Sequence, residues 1–472
     1  MSSLTIRRGG KAVVSNLSAR IQTGDCWAIL GPAGSGKTSF LQTLAGQLPA
    51  PPVQLSVRTR ATLVSFREES QQFSYTRHFY QQRYQATLSD GQDGQPAMTL
   101  RDFLAPVWSD GATALLQRMG LAPLLDRVFL KLSNGQTRKA RIARALLQQP
   151  QVLLLDNPFA GLDPHFRADL TAWLGELVAG GLTLLVVTDT GAPLPDFITH
   201  VLVLGEGTTA WAGSLADYVP APRPAALPSP PVLQTPAQPI DFQDAFSLYH
   251  VTVQYDADKL LDDVSWTVKA GERWALLGHN GAGKSILLSL LYGDHPQAYA
   301  NEIYLFDYRR GRSGESIWDV KRRIGFVSPE LHLYFPGSLS VRDVALTGLT
   351  DTLVVPVRVS AEAGQDLAAL LAYFGLTPLA QQLFSRVSTA EQRLVLLVRA
   401  LLKNPAVLIL DEPFQTLDER QVQLARQLLD TLSDKTIVFV SHHPAELPQQ
   451  IDRVAQLSAG QLTIDANRLT TE

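Results

Sequence analysis

The chain has 472 residues, of which 45% are hydrophobic and 18% charged. That is enough for roughly two to four domains of about 100–200 residues, each with its own buried core. A net charge of −3 excludes a global electrostatic drive toward nucleic acid or an anionic membrane. The single cysteine, Cys26, excludes an intrachain disulfide and fits a reducing compartment.

The first residues, MSSLTIRRGGKAVV, hold no apolar signal core. No stretch approaches the roughly 18–20 apolar residues of a membrane-spanning helix, so any spans are expected from another chain. The apolar run WAIL then leads into Gly31-Pro-Ala-Gly34-Ser35-Gly36-Lys37-Thr38, which fits G-x-x-x-x-G-K-[ST], and a helix-like run (SFLQTLAG) follows. Residues 66–85 interleave Phe66, Phe73, Tyr75, Phe79 and Tyr84 with Arg67, Arg77 and Arg83. Such a mixture can stack bases, although a helical element or a docking surface accounts for it better. Next come Leu132-Ser133-Asn134-Gly135-Gln136, a basic amphipathic run, the strand-like VLLLD ending at Asp156, and LLVVT. Residues 219–240 are crowded with proline and predict an extended, semi-rigid linker.

Beyond the linker the pattern repeats. SNLSARIQTGDCWAILGPAGSGKT returns as DDVSWTVKAGERWALLGHNGAGKS at a shift of 247 (Gly31 to Gly278), and the block from Lys131 to Asp163 returns from Arg386 to Asp418 at a shift of 255. A duplicated domain follows: one over 1–218, a linker over 219–240 and a second over 241–472. Apolar strand runs alternate with helical runs in both halves, which predicts an α/β fold with mostly parallel sheets.

The second loop is Gly278-His-Asn280-Gly281-Ala282-Gly283-Lys284-Ser285. In both loops glycines let backbone N–H groups converge on phosphates, and a helix N-terminus favours the anion. Lys37 and Lys284 are expected on the β/γ-phosphates, and Thr38 and Ser285 on Mg2+. Asp156 and Asp411, each ending a buried strand, are expected to hold Mg2+ or its waters. ATP and Mg2+ are thus the implied ligands.

These motifs together resemble the ABC ATPase family over nearly the whole chain. The LSNGQ segment (132–136) departs from the family's LSGGQ signature at one position, and Asp163 and Asp418 match its D-loop aspartates. The likeness is closer to the tandem, span-free branch known by the names molybdenum-transport ATP-binding protein (ModF) and photorepair protein (PhrA). The resemblance implies two P-loop domains, each with a helical subdomain, and head-to-tail pairing in which the P-loop of one half and the signature of the other enclose one ATP.

Scored that way, the two sites are unequal. On the second P-loop, the resemblance makes Glu412 the general base, His442 (or His443) the switch histidine and Tyr255 the adenine-stacking aromatic. Ser133, Gly135 and Gln136 would close over the γ-phosphate. On the first P-loop, Asn157 replaces the glutamate and cannot accept the water's proton. Asp189 stands where a histidine is expected, Arg8 replaces Tyr255, and the opposing Ser388-Thr389-Ala390-Glu391-Gln392 lacks the glycines. One hydrolytic site and one degenerate, nucleotide-retaining site are expected.

The coupling glutamine of the family is missing at Val64-Ser65-Phe66-Arg67 and at Val327-Ser328-Pro329-Glu330, although Glu330 could substitute. About thirty residues follow His443, so no C-terminal regulatory domain is expected. The resemblance implies a transporter's energising subunit, for molybdate or another small solute, with separate transmembrane subunits. The chain would lie in the cytoplasm or peripherally on the inner face of the membrane. The alternative is a soluble ABC ATPase acting on nucleic acid or ribosomes, which the proline-rich linker disfavours because that branch carries a charged helical one.

Overall fold

A computed structural model describes residues 3–8, 11–32, 34–49, 61–65, 98–109, 111–129, 132, 134–159, 164–188, 194–205, 207–220, 227–255, 258–279, 281–329, 331–441 and 446–465. The chain divides into two compact units, with the break in the main chain between Ala225 and Ala226.

The first unit is built on a six-stranded sheet in the order Ala61–Ser65, Val152–Asp156, Thr183–Val187, Cys26–Leu30, His200–Leu204, Thr209–Ser214. All neighbours are parallel except the last pair. Strands covered on both faces by other elements read as continuous apolar runs, and Cys26–Leu30 and Thr183–Val187 are buried throughout. Earliest in sequence but central in space, Cys26–Leu30 marks the switch in strand order, and the crevice at the carboxyl ends of such strands is where open α/β sheets bind ligand. Cys26 itself is fully buried, which pushes its thiol up to about 11. Trp27 stacks on His200, with ring centroids 4.7 Å apart. A hairpin of Leu4–Arg8 and Lys11–Leu17 lies outside the main sheet.

The second unit repeats this plan: Ile324–Val327, Val407–Asp411, Thr436–Val440, Arg273–Leu277, Arg453–Ser458, Gln461–Asp465. Again only the last pair is antiparallel. A separate antiparallel sheet joins Asp258–Lys269, Asp244–Tyr255, Glu302–Leu305 and Tyr308–Arg309. In the helix Lys284–Leu291, Leu287, Leu288, Leu290 and Leu291 are all buried, each contributing about 1.5–3 kcal/mol relative to exposure. The helices Val341–Leu346, Ala361–Tyr373 and Thr389–Leu402 each begin on a serine N-cap, Ser340, Ser360 and Ser388. A serine there satisfies an amide that the first turn leaves without a partner.

Residues 227–240 take no helix or strand, yet they are fastened to the second unit. The backbone N–H groups of Gln234 and Thr235 donate to the two carboxylate oxygens of Asp366, at 2.7 and 2.8 Å. Asn404 donates through Nδ2 to the Thr235 carbonyl at 2.6 Å and accepts from the Gln238 N–H at 3.1 Å. Asp366 is buried on the helix Ala361–Tyr373, so this half of the predicted linker is a docked strap.

Candidate functional site

Each loop is shaped by its glycines. At Gly31 and Gly278 φ is +145° and +157°, and a Cβ would run into the carbonyls of Leu204 and Leu457. Gly36 and Gly283, with φ +95° and +104°, cap the eight-residue helices Lys37–Leu44 and Lys284–Leu291 from the left-handed region, which glycine adopts freely. Both helices therefore start with their N–H groups facing the loop, a ready anion site.

The lysines fold over the loops they belong to. Lys37 Nζ donates to the carbonyls of Gly31 and Pro32, at 2.5 and 2.8 Å. Lys284 Nζ donates to those of Gly278 and, at 3.2 Å, His279. Ser35 is buried, and Ala282, its counterpart, is 1% exposed. Gly34 and Gly281 have φ +78° and +87°. Thr38 Oγ1 donates to Asp156 Oδ2 at 2.8 Å, which joins the loop to the neighbouring strand ends. Asp411 ends the equivalent strand and is buried, with Ser285 exposed beside its loop. Lysine, hydroxyl, carboxylate and a glycine-lined cradle at a helix N-terminus suit a Mg2+–triphosphate, since Mg2+ prefers one or two carboxylates completed by phosphate oxygens and water. Among the described residues no group of three or more His, Cys, Asp or Glu forms a protein-only metal cage.

The residue after each aspartate sits in the same turn. Asn157 and Glu412 have φ +54° and +47°, and their N–H groups donate to Val187 and Val440 at 3.2 and 3.0 Å. Arginines bind the main chain near both turns. Arg138 donates to the carbonyls of Asn157 (3.2 Å) and Pro158 (2.8 Å), while Arg141 takes Ser65 O (3.2 Å). Burial, with Arg141 nearby, pulls Arg138 down to about 10, so it remains charged. Its counterpart Arg393 binds Ser328 O and Gln415 Oε1, both at 3.2 Å.

Tyr255 and Arg8 end corresponding hairpin strands, paired with Asp258 and Lys11. The Tyr255 hydroxyl meets His295 Nε2 at 3.3 Å, a partner that reading the motifs missed. The signature helices are Asn134–Leu147, which includes Gly135 and Gln136, and Thr389–Leu402. At the second, the Ser388 N–H donates to Glu391 Oε2 at 2.6 Å and the Glu391 N–H to Ser388 Oγ at 3.3 Å. This capping box puts a carboxylate where an anion would otherwise approach. Its sequence mark is S-x-x-E, the spacing of a helix start, which coincides with the lost glycines. Ser133, Asp163, Asp189, Asn280, Glu330, His442, His443 and the segment 66–85 lie outside the described residues.

A sequence model of the family "ABC transporter" matches residues 14–160 and 261–415. The ABC transporter ATP-binding protein ModF of Escherichia coli is 35% identical over 471 residues, 95% of each chain. An uncharacterized ABC transporter ATP-binding protein of Schizosaccharomyces pombe, C323.04, is 32% identical over 96% of each. Among solved structures, the archaeal ribosome recycling factor aABCE1, in complex with the stalk protein aP1, matches 98% of this chain and 89% of its own. Its TM-score is 0.58 at 18% identity, a likeness of fold. Among the described residues no helix is long and apolar enough to cross a membrane. Two matched modules, two glycine-shaped phosphate loops and two carboxylate-ended strands in one order make this chain a tandem ABC ATPase of the ABC transporter ATP-binding family, which binds and hydrolyses ATP.

Proposed function

We propose that the second half hydrolyses Mg-ATP and that the first half holds nucleotide with little or no turnover. The observation that carries this is the shared turn of Asn157 and Glu412: both hold a left-handed φ and donate their N–H to the adjacent strand, and the glutamate can accept a proton where the asparagine cannot. A glutamate at positive φ is costlier than an asparagine, so the second half keeps a strained residue where the chemistry needs a base.

In the second site, Lys284 and the helix N-terminus bind the phosphates, Ser285 and Asp411 hold Mg2+, and Glu412 takes the proton of the attacking water. Mg2+ supplies charge neutralisation on the phosphate oxygens. Tyr255 stacks on the adenine and His442 contacts the γ-phosphate, with Ser133, Gly135 and Gln136 of the other half's signature completing the site. In the first site, Lys37, Thr38 and Asp156 hold Mg-nucleotide, and Asn157, Asp189 and the Ser388–Glu391 box account for the slow chemistry. The domains divide as 1–218, linker 219–240 and 241–472.

We further propose that the hydrolysis energises transport through separate transmembrane subunits, with the chain on the inner face of the membrane and a small solute such as molybdate as cargo. The likeness to the E. coli transporter ATP-binding protein supports the transport reading. The test is affinity isolation of Glu412→Gln protein trapped with ATP. Recovery of membrane subunits supports it, and recovery of ribosomes or nucleic acid instead overturns it.

A further inference from the structure

Tyr255 stands at the end of its hairpin strand, packed only in part against the core of the second unit. A ring in such a place has rotamer freedom unless something holds its far end. His295, forty residues on, supplies that hold. It is 2% exposed and its ring meets that of Tyr255 edge-on, centroids 6.2 Å apart.

The imidazole's tautomer follows from its other bond. His295 Nδ1 accepts from the Gln297 N–H at 3.2 Å, so it carries no proton there. Burial holds His295 down near 4, so it is neutral at physiological pH. A neutral ring has one N–H. That proton is therefore on Nε2, and the histidine donates to the tyrosine hydroxyl.

The first unit shows that the turn itself does not require a histidine. At the repeat shift of 247, Leu48 occupies the place of His295 and Arg8 that of Tyr255. The turn is otherwise the same. Gly46 and Gly293 have φ +74° and +78°. The N–H groups of Gln47 and Leu48 donate to Gln42 O (2.8 and 3.3 Å), as those of Asp294 and His295 donate to Ser289 O (2.9 and 3.2 Å). Tyrosine and histidine are present together in one half and absent together in the other. The imidazole caps the Gln297 N–H through Nδ1 and turns its one N–H to Tyr255, a ring whose counterpart is also gone, so its second nitrogen serves the ring.

We infer that His295 is a positioning residue for nucleotide binding, which fixes the Tyr255 ring in the orientation that stacks on adenine. The inference rests on the proposed role of Tyr255. Three properties follow. The effect belongs to ATP affinity and not to the chemical step. It requires the tyrosine hydroxyl. It is confined to the second site.

The experiment is steady-state ATPase kinetics on the full chain. His295→Leu installs the residue found at this place in the first unit's turn and also removes the Nδ1 cap on Gln297, so Tyr255→Phe, which leaves that cap in place, is the paired variant. His295→Leu is expected to raise KM for ATP about fivefold, the scale of one hydrogen bond, with kcat within about twofold. Tyr255→Phe should match it, and the double variant should be no worse than either. His295→Gln, whose amide N–H can reach the same hydroxyl, should restore KM. An unchanged KM in His295→Leu, a loss confined to kcat or to thermal stability, or full additivity with Tyr255→Phe would overturn the inference. Tyr255→Ala separates the two layers. If Tyr255→Ala leaves KM unchanged, the adenine role falls and the inference with it. If Tyr255→Ala raises KM and His295→Leu does not, only the positioning role falls.

Discussion

Asn157 and Glu412 adopt the same left-handed turn one residue beyond a buried strand-end aspartate, each donating its N–H to the adjacent strand. The backbone thus delivers two different side chains to equivalent points. A positioned general base contributes about 10²–10⁴-fold to rate. Glu412→Gln is therefore expected to lower kcat by at least about 10²-fold, whereas Asn157→Ala should leave kcat within a few-fold of the parent. Phosphate release at saturating Mg-ATP measures both. Substantial turnover by Glu412→Gln would show that the first site hydrolyses ATP on its own.

Neither P-loop cap has room for alanine. At Gly283 a Cβ would lie 2.7 Å from the Leu260 carbonyl, and at Gly36 it would lie closer still to a methyl of Val14, a fully buried β-branched side chain with little freedom to turn. Left-handed backbone costs a non-glycine residue roughly 1–2 kcal/mol in both places, and the clash adds roughly 1–3. Gly36→Ala and Gly283→Ala should therefore each lose both stability and nucleotide affinity. Denaturant titration and binding of a fluorescent ATP analogue check this.

Asp366 accepts two backbone N–H groups from the strap. Hydrogen bonds to a charged group are worth about 1.5–3 kcal/mol each, so Asp366→Ala should cost the second unit about 3 kcal/mol or more. Residues 227–240 should then become sensitive to limited proteolysis. A strap that stays protected would mean that its bonds to Asn404 and Lys403 hold it.

Burial holds His295 and His332 down to about 4, from an ordinary 6.5. For His332 the neighbouring Arg393 adds to the effect of burial. Both are neutral in the folded protein, while the unfolded chain takes up protons as pH falls below about 6.5. Their contribution is fully present above about pH 6.5 and lost progressively toward about pH 4. Chemical denaturation across that window should show stability falling with acid. His295→Leu should flatten the slope by up to one proton's worth.

How much of this could be read from sequence depends on how contiguous each feature is. The P-loops and the strand-end carboxylates are written in consecutive residues, because one strand, one turn and one helix build each of them. The sheet's parallel character showed in runs such as VLLLD and VLILD, apolar without alternation. The Tyr255–His295 bond joins a hairpin end to a turn, and neither segment announces the other. The contacts of Asp366 with Gln234 and Thr235 cross more than 130 residues. Proline content spoke for an extended segment there but could not say that it docks. The Ser388–Glu391 box is written in sequence as a helix start, S-x-x-E, on the same residues that align with the glycine-rich signature.

Cys26 has a practical consequence. It is the chain's one thiol, it lies fully inside the first sheet, and its ionisation is pushed up to about 11. Maleimides and mild oxidants need an accessible thiolate, so the natural protein is expected to give a reagent-silent background. Single reporter cysteines can be placed at exposed positions such as Val354 or Tyr308 without first replacing Cys26. Dye pairs attached there would report motion during turnover in otherwise native protein.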